Sequence, residues 1–246
     1  MNTASRIPVR GRTTCVSIAL AIVLMTAPPI PLDAQQKPPD SRAGDAKATA
    51  AAEYKPPLRG APGGRVGGGT RGTGRESFIL SVLAPNHIGL TTSAQPVLYW
   101  FISGPSSLPV ELTLVDPQKT EPLVELHIKP PIAQGVHRVR LADHGVRLEP
   151  GVSYQWYVAV VPDTGRRSKD ILAGGAIERV APPDGLAARL AQASKADQPS
   201  VYAGASLWYD ALAALGELID EAPRDRALVE RRSTLLRQVG LPAGIE

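Results

Sequence analysis

The sequence predicts a mainly β protein, an immunoglobulin-like antiparallel β-sandwich followed by a C-terminal helical hairpin. Three observations predict this fold: short β-prone runs across the middle of the chain, Pro and Gly turns between them, and a helical period after residue 182. The runs occupy residues 78–84, 96–103, 110–115, 123–129, 135–141, 153–161 and 175–180. No helical segment long enough for a crossover connection separates them, which disfavours a parallel sheet.

Alternation of apolar and polar residues supports a half-buried sheet. In the fourth run, Val124 and Leu126 alternate with Glu125 and His127, so one face is expected in the core and the other outside. Aromatic residues concentrate at 99–101 and in the sixth run. Some of these rings must point outward, where they could stack on sugar. The favoured interpretation is that the helical region or the glycine-rich segment covers these outward rings.

Helical periodicity begins after Pro182 and Pro183, and three helices are expected in residues 182–246. The second is predicted to start at Pro199 and the third at Pro223. The apolar face of the second is expected to contain Tyr202, Trp208, Leu212, Leu215 and Ile219. The last two helices would form a hairpin that docks on the sandwich or on a partner, and Trp208 and Tyr209 are candidate partner-binding residues.

The N-terminus is typical of a secretory signal peptide over residues 1–34. Three arginines precede an apolar run at 15–25, which is shorter than the ~20 residues of a spanning helix, and Ala34 is the expected cleavage position. Retention of this segment as an anchor stays open as an alternative. Residues 35–58 are rich in Ala, Pro and Lys and are predicted to be a disordered linker. The sequence therefore predicts a periplasmic or secreted protein without a stable membrane span after cleavage.

Charge and cysteine content exclude several classes of function. The formal charge of +4 falls to +2 once the three arginines and one aspartate of the predicted signal peptide are removed, which gives no indication of nucleic-acid binding. The only cysteine, Cys15, lies in the signal peptide. A mature chain without cysteine can form neither disulfides nor thiolate-ligated metal sites.

A glycine- and arginine-rich segment opens the predicted domain at 59–181. Its backbone amides could face an anion while its guanidinium groups add charge-assisted contacts, so it is a candidate anion or partner contact. The candidate residues are Arg59, Arg65, Gly67, Gly68, Gly69, Thr70 and Arg71. The alternative, which we consider the stronger, is that the glycines let an extended chain cross the sandwich surface while the arginines pair with local carboxylates.

No pattern of catalytic residues stands out. The four histidines, His87, His127, His137 and His144, lack metal-ligand spacing, so neither a metal site nor a cofactor is expected. Residues 204–208 lack the second glycine of a nucleophile elbow. The carboxylates are dispersed over turns and outward strand positions, and they do not single out a glycosidase pair.

Several strings resemble one bacterial family. The segment 59–72 is similar to the opening signature of domain of unknown function family 928. Further strings follow in the expected order: 89–92 with 95–96, 99–101, 154–157, 175–179 and 208–212. The resemblance covers about residues 56–241 and implies an exported bacterial protein, without supplying catalytic residues. We expect a non-enzymatic envelope module that binds an unknown envelope protein or polymer. The alternative is a hydrolase of envelope glycan or a related polymer.

Overall fold

The computed structural model describes residues 53–57, 65–66, 78–242 and 245. Within them the chain is mainly β, with eight strands in two sheets followed by four helices. The predicted signal peptide at 1–34, and residues 35–52 and 58 of the predicted linker, lie outside the described residues.

The strands form a three-stranded and a five-stranded sheet. Their bounds are β1 Leu80–Val82, β2 Gly89–Thr91, β3 Val97–Ile102, β4 Val110–Val115, β5 Val124–Ile128, β6 Gly135–Arg140, β7 Ser153–Val160 and β8 Ile171–Arg179. The first sheet has the order β1-β3-β6 and the second the order β2-β8-β7-β4-β5. All pairings are antiparallel except that of β2 with β8.

The parallel pair corrects the wholly antiparallel prediction. Strand β2 was not among the predicted runs, because three residues that include a glycine have little β propensity of their own. Its pairing with β8, from Gly89 opposite Ile177 to Thr91 opposite Arg179, supplies the backbone hydrogen bonds instead. Each of the seven predicted runs overlaps one of the other strands.

Alternating side chains of both sheets contribute to one hydrophobic cluster. Val110, Leu112 and Leu114 on β4 are fully buried, whereas the residues between them are half-buried. Trp100 on β3 and Trp156 on β7 are also fully buried. Burial of such large side chains is the main source of stability in a domain of this kind.

Four helices follow the sheets: α1 Leu186–Gln192, α2 Gln198–Gly204, α3 Trp208–Glu221 and α4 Arg226–Arg237. The continuous helix predicted from Pro199 to Ile219 is wrong, because the chain breaks between α2 and α3. Ser206 has φ +66° there, and the amide of Leu207 donates to the carbonyl of Tyr202 at 3.0 Å. This is the pattern of a left-handed helix C-cap, with serine where glycine is usual.

Helix α4 begins three residues later than its predicted start at Pro223. The side chain of Asp225 accepts a hydrogen bond from the amide of Ala227 at 2.9 Å and caps the helix. In the described part of the chain, no helix combines the length and the apolar composition needed to cross a bilayer.

Within the predicted linker, Tyr54 packs on the domain. Tyr54 is only 5% exposed, its hydroxyl is hydrogen-bonded to Nε2 of His87 at 2.8 Å, and its ring meets the edge of Trp208. The amide of Lys55 donates to the carbonyl of Ala203 at 3.2 Å. One large aromatic ring thus anchors a segment whose composition otherwise predicts disorder.

Candidate functional site

The first turn of α3 carries the side chains that join the helices to the sheets. Trp208 is 0% exposed and donates from its indole Nε1 to the carbonyl of Leu83 at 2.8 Å. Tyr209 is 1% exposed. These two residues are the candidate partner-binding pair predicted from the sequence. Both are almost completely buried within this chain, although one edge of Tyr209 lines the cavity described below.

Tyr209 occupies the middle of a buried hydrogen-bond chain. Its hydroxyl accepts from Nε1 of Trp156 at 2.9 Å and donates to the carbonyl of Ala176 at 3.0 Å. Burial raises the pKa of this hydroxyl, so it stays protonated and able to donate. Its ring lies so close to β2 that a Cβ atom on Gly89 would be 2.6 Å from the ring carbon Cε2. Gly89 is therefore required by this close approach.

Asp210 follows directly and connects α3 to the end of β2. Its Oδ1 accepts from the hydroxyl of Thr92 at 2.7 Å, and its Oδ2 accepts from the Thr92 amide at 3.1 Å. The pKa of the Asp210 carboxyl is raised because burial outweighs the hydrogen bonds from Thr92 and Thr91, which lower the pKa. The contact fixes the position of a partly buried carboxyl group.

A cavity of about 240 Å³ opens beside this carboxyl group, between the loop after β2 and helices α2 and α3. We call it the Asp210 cleft. Its polar lining residues are Thr91, Ser93, Gln95, Gln198, Tyr202, Tyr209, Asp210 and Glu217. Gln95 is held in place by a hydrogen bond of 3.1 Å from its Nε2 to the carbonyl of Val146.

Two carboxylates act on Tyr202, which lies half-buried at the cleft. Burial and then the negative charges of Asp210 and Glu217 raise the pKa of its hydroxyl. Both acidic side chains are therefore within electrostatic reach of one phenol. Carboxylates accept hydrogen bonds, amides both donate and accept, and a phenol combines an apolar ring with a polar tip. The cleft has the chemistry to bind a ligand rich in hydroxyl groups.

The glycine- and arginine-rich segment is described only at Arg65 and Val66. The guanidinium of Arg65 donates to the carbonyls of Ala84, Val239 and Gly240 at 3.2–3.4 Å. The last two carbonyls follow the end of α4, so Arg65 binds backbone carbonyls and not the carboxylates that were expected. Val66 forms two backbone hydrogen bonds with Gly174 of β8, at 2.9 and 3.0 Å. The other candidate residues, Arg59, Gly67, Gly68, Gly69, Thr70 and Arg71, lie outside the described residues.

Three of the histidines lie in distinct settings. His87 hydrogen-bonds Tyr54, as described above. His137 stacks on Trp100 with ring centroids 4.2 Å apart and is hydrogen-bonded to the carbonyl of Ala133 at 2.7 Å. His127 lies between two glutamates on the face of β4 and β5.

Sequence reasoning did not identify Asp210, Glu217, Tyr202 or Gln198 as site residues. A signal was nevertheless present, since strings 89–92 and 208–212 were both noted for their family resemblance. Thr92 and Asp210, which are 118 positions apart, are where these two strings meet. Strings 154–157 and 175–179 contact string 208–212, because Trp156 and Ala176 are both hydrogen-bonded to Tyr209.

The family model described as Domain of Unknown Function (DUF928) matches residues 66–245. This range includes both sheets, the four helices and every residue of the Asp210 cleft named above. No curated protein matches the chain.

Proposed function

The chain belongs to the DUF928 family, and we propose from the geometry of its cleft that it is an exported, non-enzymatic module. Its ligand would be a hydroxyl-rich polymer of the bacterial envelope. The observation that carries the proposal is the Asp210 cleft, a concave polar site held rigid by the contact of Asp210 with Thr92. Sites that are largely preformed and carry a few fixed polar groups are typical of ligand binding.

The composition of the cleft favours a glycan over an anion. Asp210 and Glu217 make it electronegative, so a phosphate or a carboxylate would be repelled. A sugar hydroxyl can donate to these carboxylates and accept from the amides of Gln95 and Gln198. The half-buried ring of Tyr202 offers an apolar surface for a sugar face.

We further propose that the two sheets form an immunoglobulin-like sandwich. Side chains of both sheets share one hydrophobic cluster. Tyr154, near the start of β7, accepts a hydrogen bond on its hydroxyl from the amide of Glu149, five residues upstream, at 3.0 Å. A tyrosine bonded back to the preceding corner in this way is typical of immunoglobulin-like folds. Helices α3 and α4, joined by residues 222–225, would form the helical hairpin.

Export is supported by the sequence features of residues 1–34. A charged start, an apolar run of eleven residues and a small residue at position 34 are the parts of a cleavable signal peptide. The absence of cysteine from the mature chain is compatible with an oxidising compartment. We propose a periplasmic or secreted location on these grounds.

Binding can be tested by NMR titration of the mature chain with soluble oligosaccharides released from bacterial envelope glycans. Amide signals of Ser93, Gln95 and Gln198 should shift together and saturate. Glu217→Gln should weaken binding without unfolding the chain, because Glu217 is exposed. Glu121→Gln, in the exposed turn between β4 and β5, is the matched control. Saturable shifts confined to another face, or none with any oligosaccharide, would refute the proposed cleft.

Hydrolysis of the same class of polymer is the second candidate, because one observation favours it. Burial raises the pKa of Asp210 as a general acid requires, and Glu217 supplies a second carboxylate in the same cleft. The two residues are seven positions apart on α3, which separates their Cα atoms by ~10 Å along the helix axis. In inverting glycosidases the two carboxyl groups themselves are ~6.5–9.5 Å apart. Release of reducing ends that is lost in both Asp210→Asn and Glu217→Gln would favour the enzyme. Binding without product favours the module.

A further inference from the structure

Three potential metal ligands converge on the outer face of the five-stranded sheet. Glu125 and His127 are two positions apart on β5 and project to the same side, and Glu111 on β4 lies directly opposite His127. The side chains of His127 and Glu125 are 64% and 48% exposed, whereas that of Glu111 is 14% exposed. Residues two positions apart on one strand and residues directly opposite on a paired strand are the neighbours whose side chains meet on a sheet.

The distances within this group are close to those of a coordination sphere. Nδ1 of His127 is 3.3 Å from Oε1 of Glu111, and Nε2 is 3.6 Å from Oε1 of Glu125. Each ring nitrogen therefore faces one carboxylate, and only one of the two nitrogens can bind a given ion. One ligand atom from each residue lies within 4.8 Å of the others. Ligands bound to one zinc ion at ~2.0–2.2 Å are ~3–3.5 Å apart, so a side-chain rotation must bring both carboxylates to the same ring nitrogen before all three residues bind one ion.

We propose that Glu111, Glu125 and His127 bind a first-row divalent cation of the zinc class. One imidazole with two carboxylates suits such ions, and three protein ligands leave a coordination position open. Glu111 also borders a cavity of about 250 Å³ that includes Tyr157 and Asp170, so an exogenous ligand has space beside the ion. The group shares no residue with the Asp210 cleft, and the proposal is independent of the proposed function.

Arg167 makes the proposal specific, because it competes for Glu111. Its guanidinium donates to both oxygens of Glu111, with Nη1 3.0 Å from Oε1, and its Nε lies 2.8 Å from Oδ2 of Asp170. A cation that binds Oε1 of Glu111 must weaken this pair and stands close to a second positive charge. Removal of Arg167 should therefore strengthen metal binding, which a merely structural role of the cluster would not explain.

Calorimetric titration of the untagged mature chain with zinc chloride tests the site. We expect one site per chain, affinity at least ~10-fold lower in His127→Ala and in Glu125→Gln, and higher affinity in Arg167→Ala. His144→Ala and Glu149→Gln, which change exposed residues elsewhere, should bind as the wild type does. Both ligand variants alter exposed side chains, so circular dichroism should stay unchanged.

Imidazole NMR signals identify the residue involved without relying on affinity. The ring signals of His127 should shift on addition of zinc, and those of His144 should not. Absence of saturable zinc binding in the wild type, equal affinity in His127→Ala, or weaker binding in Arg167→Ala would each overturn the proposal.

Discussion

The indole Nε1 of Trp156 lies 2.9 Å from the hydroxyl of Tyr209 and donates a hydrogen bond to it. This bond joins the central part of β7 to the first turn of α3 within the interior of the protein. The helical region and the five-stranded sheet therefore share buried polar groups as well as apolar surface.

Tyr209→Phe should destabilise the protein more than the loss of one surface hydroxyl. The variant lacks the hydroxyl that accepts a hydrogen bond from Trp156 and donates one to the carbonyl of Ala176. Each of these two buried groups loses that partner, which lowers the free energy of unfolding by ~1–3 kcal/mol per group. Thermal unfolding should show a lower Tm in one transition. The control is Tyr157→Phe on the outer face of β7, and an equal effect of the two variants would contradict the role of the buried chain.

Trp208→Ala should lower the stability of the whole protein by ~3–5 kcal/mol, the usual cost of truncating a buried tryptophan. Because its ring contacts Tyr54 and its indole donates to Leu83, the sheets and the helices should unfold together. Calorimetry would detect this as a single transition at a lower Tm. If deletion of residues 184–246 left the melting of the sheets unchanged, the helices would be a detachable unit.

Two helical glycines should respond in opposite ways to alanine. In Gly216→Ala the new Cβ would lie 2.2 Å from the hydroxyl oxygen of buried Tyr99, and such overpacking costs ~1–3 kcal/mol. Gly204→Ala meets no atom within 4 Å and should be neutral or stabilising by up to ~1 kcal/mol. Chemical denaturation of both variants measures the contrast. Tyr99→Phe in the Gly216→Ala background should recover part of the loss.

Stability should decrease on mild acidification through His87. Burial lowers the pKa of this imidazole, so the unfolded chain, with a pKa of ~6.5, binds the proton more readily. The contribution of neutral His87 is fully present above about pH 6.5 and is lost as the pH falls below it. Asp210, an acid whose pKa is raised by burial, works in the opposite direction.

The contribution of His87 can be separated with a variant. The decrease in Tm between pH 7.5 and pH 5.5 should be smaller in His87→Gln than in the wild type, whereas His144→Gln should follow the wild type. An unchanged decrease in His87→Gln would assign the acid sensitivity to other groups.

The exported form should begin near Gln35. This prediction depends on Ala34 and on the apolar run before it. N-terminal sequencing of protein from the extracytoplasmic fraction checks it, and an intact Met1 terminus on soluble cytoplasmic protein would contradict it.

Elements with strong alternation could be predicted from the sequence, and elements that depend on distant partners could not. Strand β4 was predicted at its observed bounds because its apolar residues recur at every second position. The break at Ser206 carries neither Gly nor Pro at the residue with positive φ, so the helical period continues across it in the sequence. Tyr54 was placed in a linker because its burial depends on His87 and Trp208, far along the chain.

The candidate site shows the same division. The resemblance strings marked both Thr92 and Asp210, but their pairing depends on how α3 crosses the end of β2. The grouping of Glu111, Glu125 and His127, which we propose as a metal site, could not be predicted because Glu111 lies on a different strand from the other two residues. Only the register of β4 against β5 brings Glu111 opposite His127. Spacing along a single strand contains no information about register.

The two ends of the described chain are held together, and this has a consequence for the order of folding. The amide of Tyr54 donates to Oε1 of Gln238 at 2.6 Å, across 184 positions of sequence, and Arg65 reaches Gly240. Contacts of such long range slow folding, because the intervening chain must be brought together first. A nascent chain cannot complete its interior until Gly240 has been synthesised. The contact of Tyr54 with Gln238 therefore forms only after almost two hundred further residues have been synthesised.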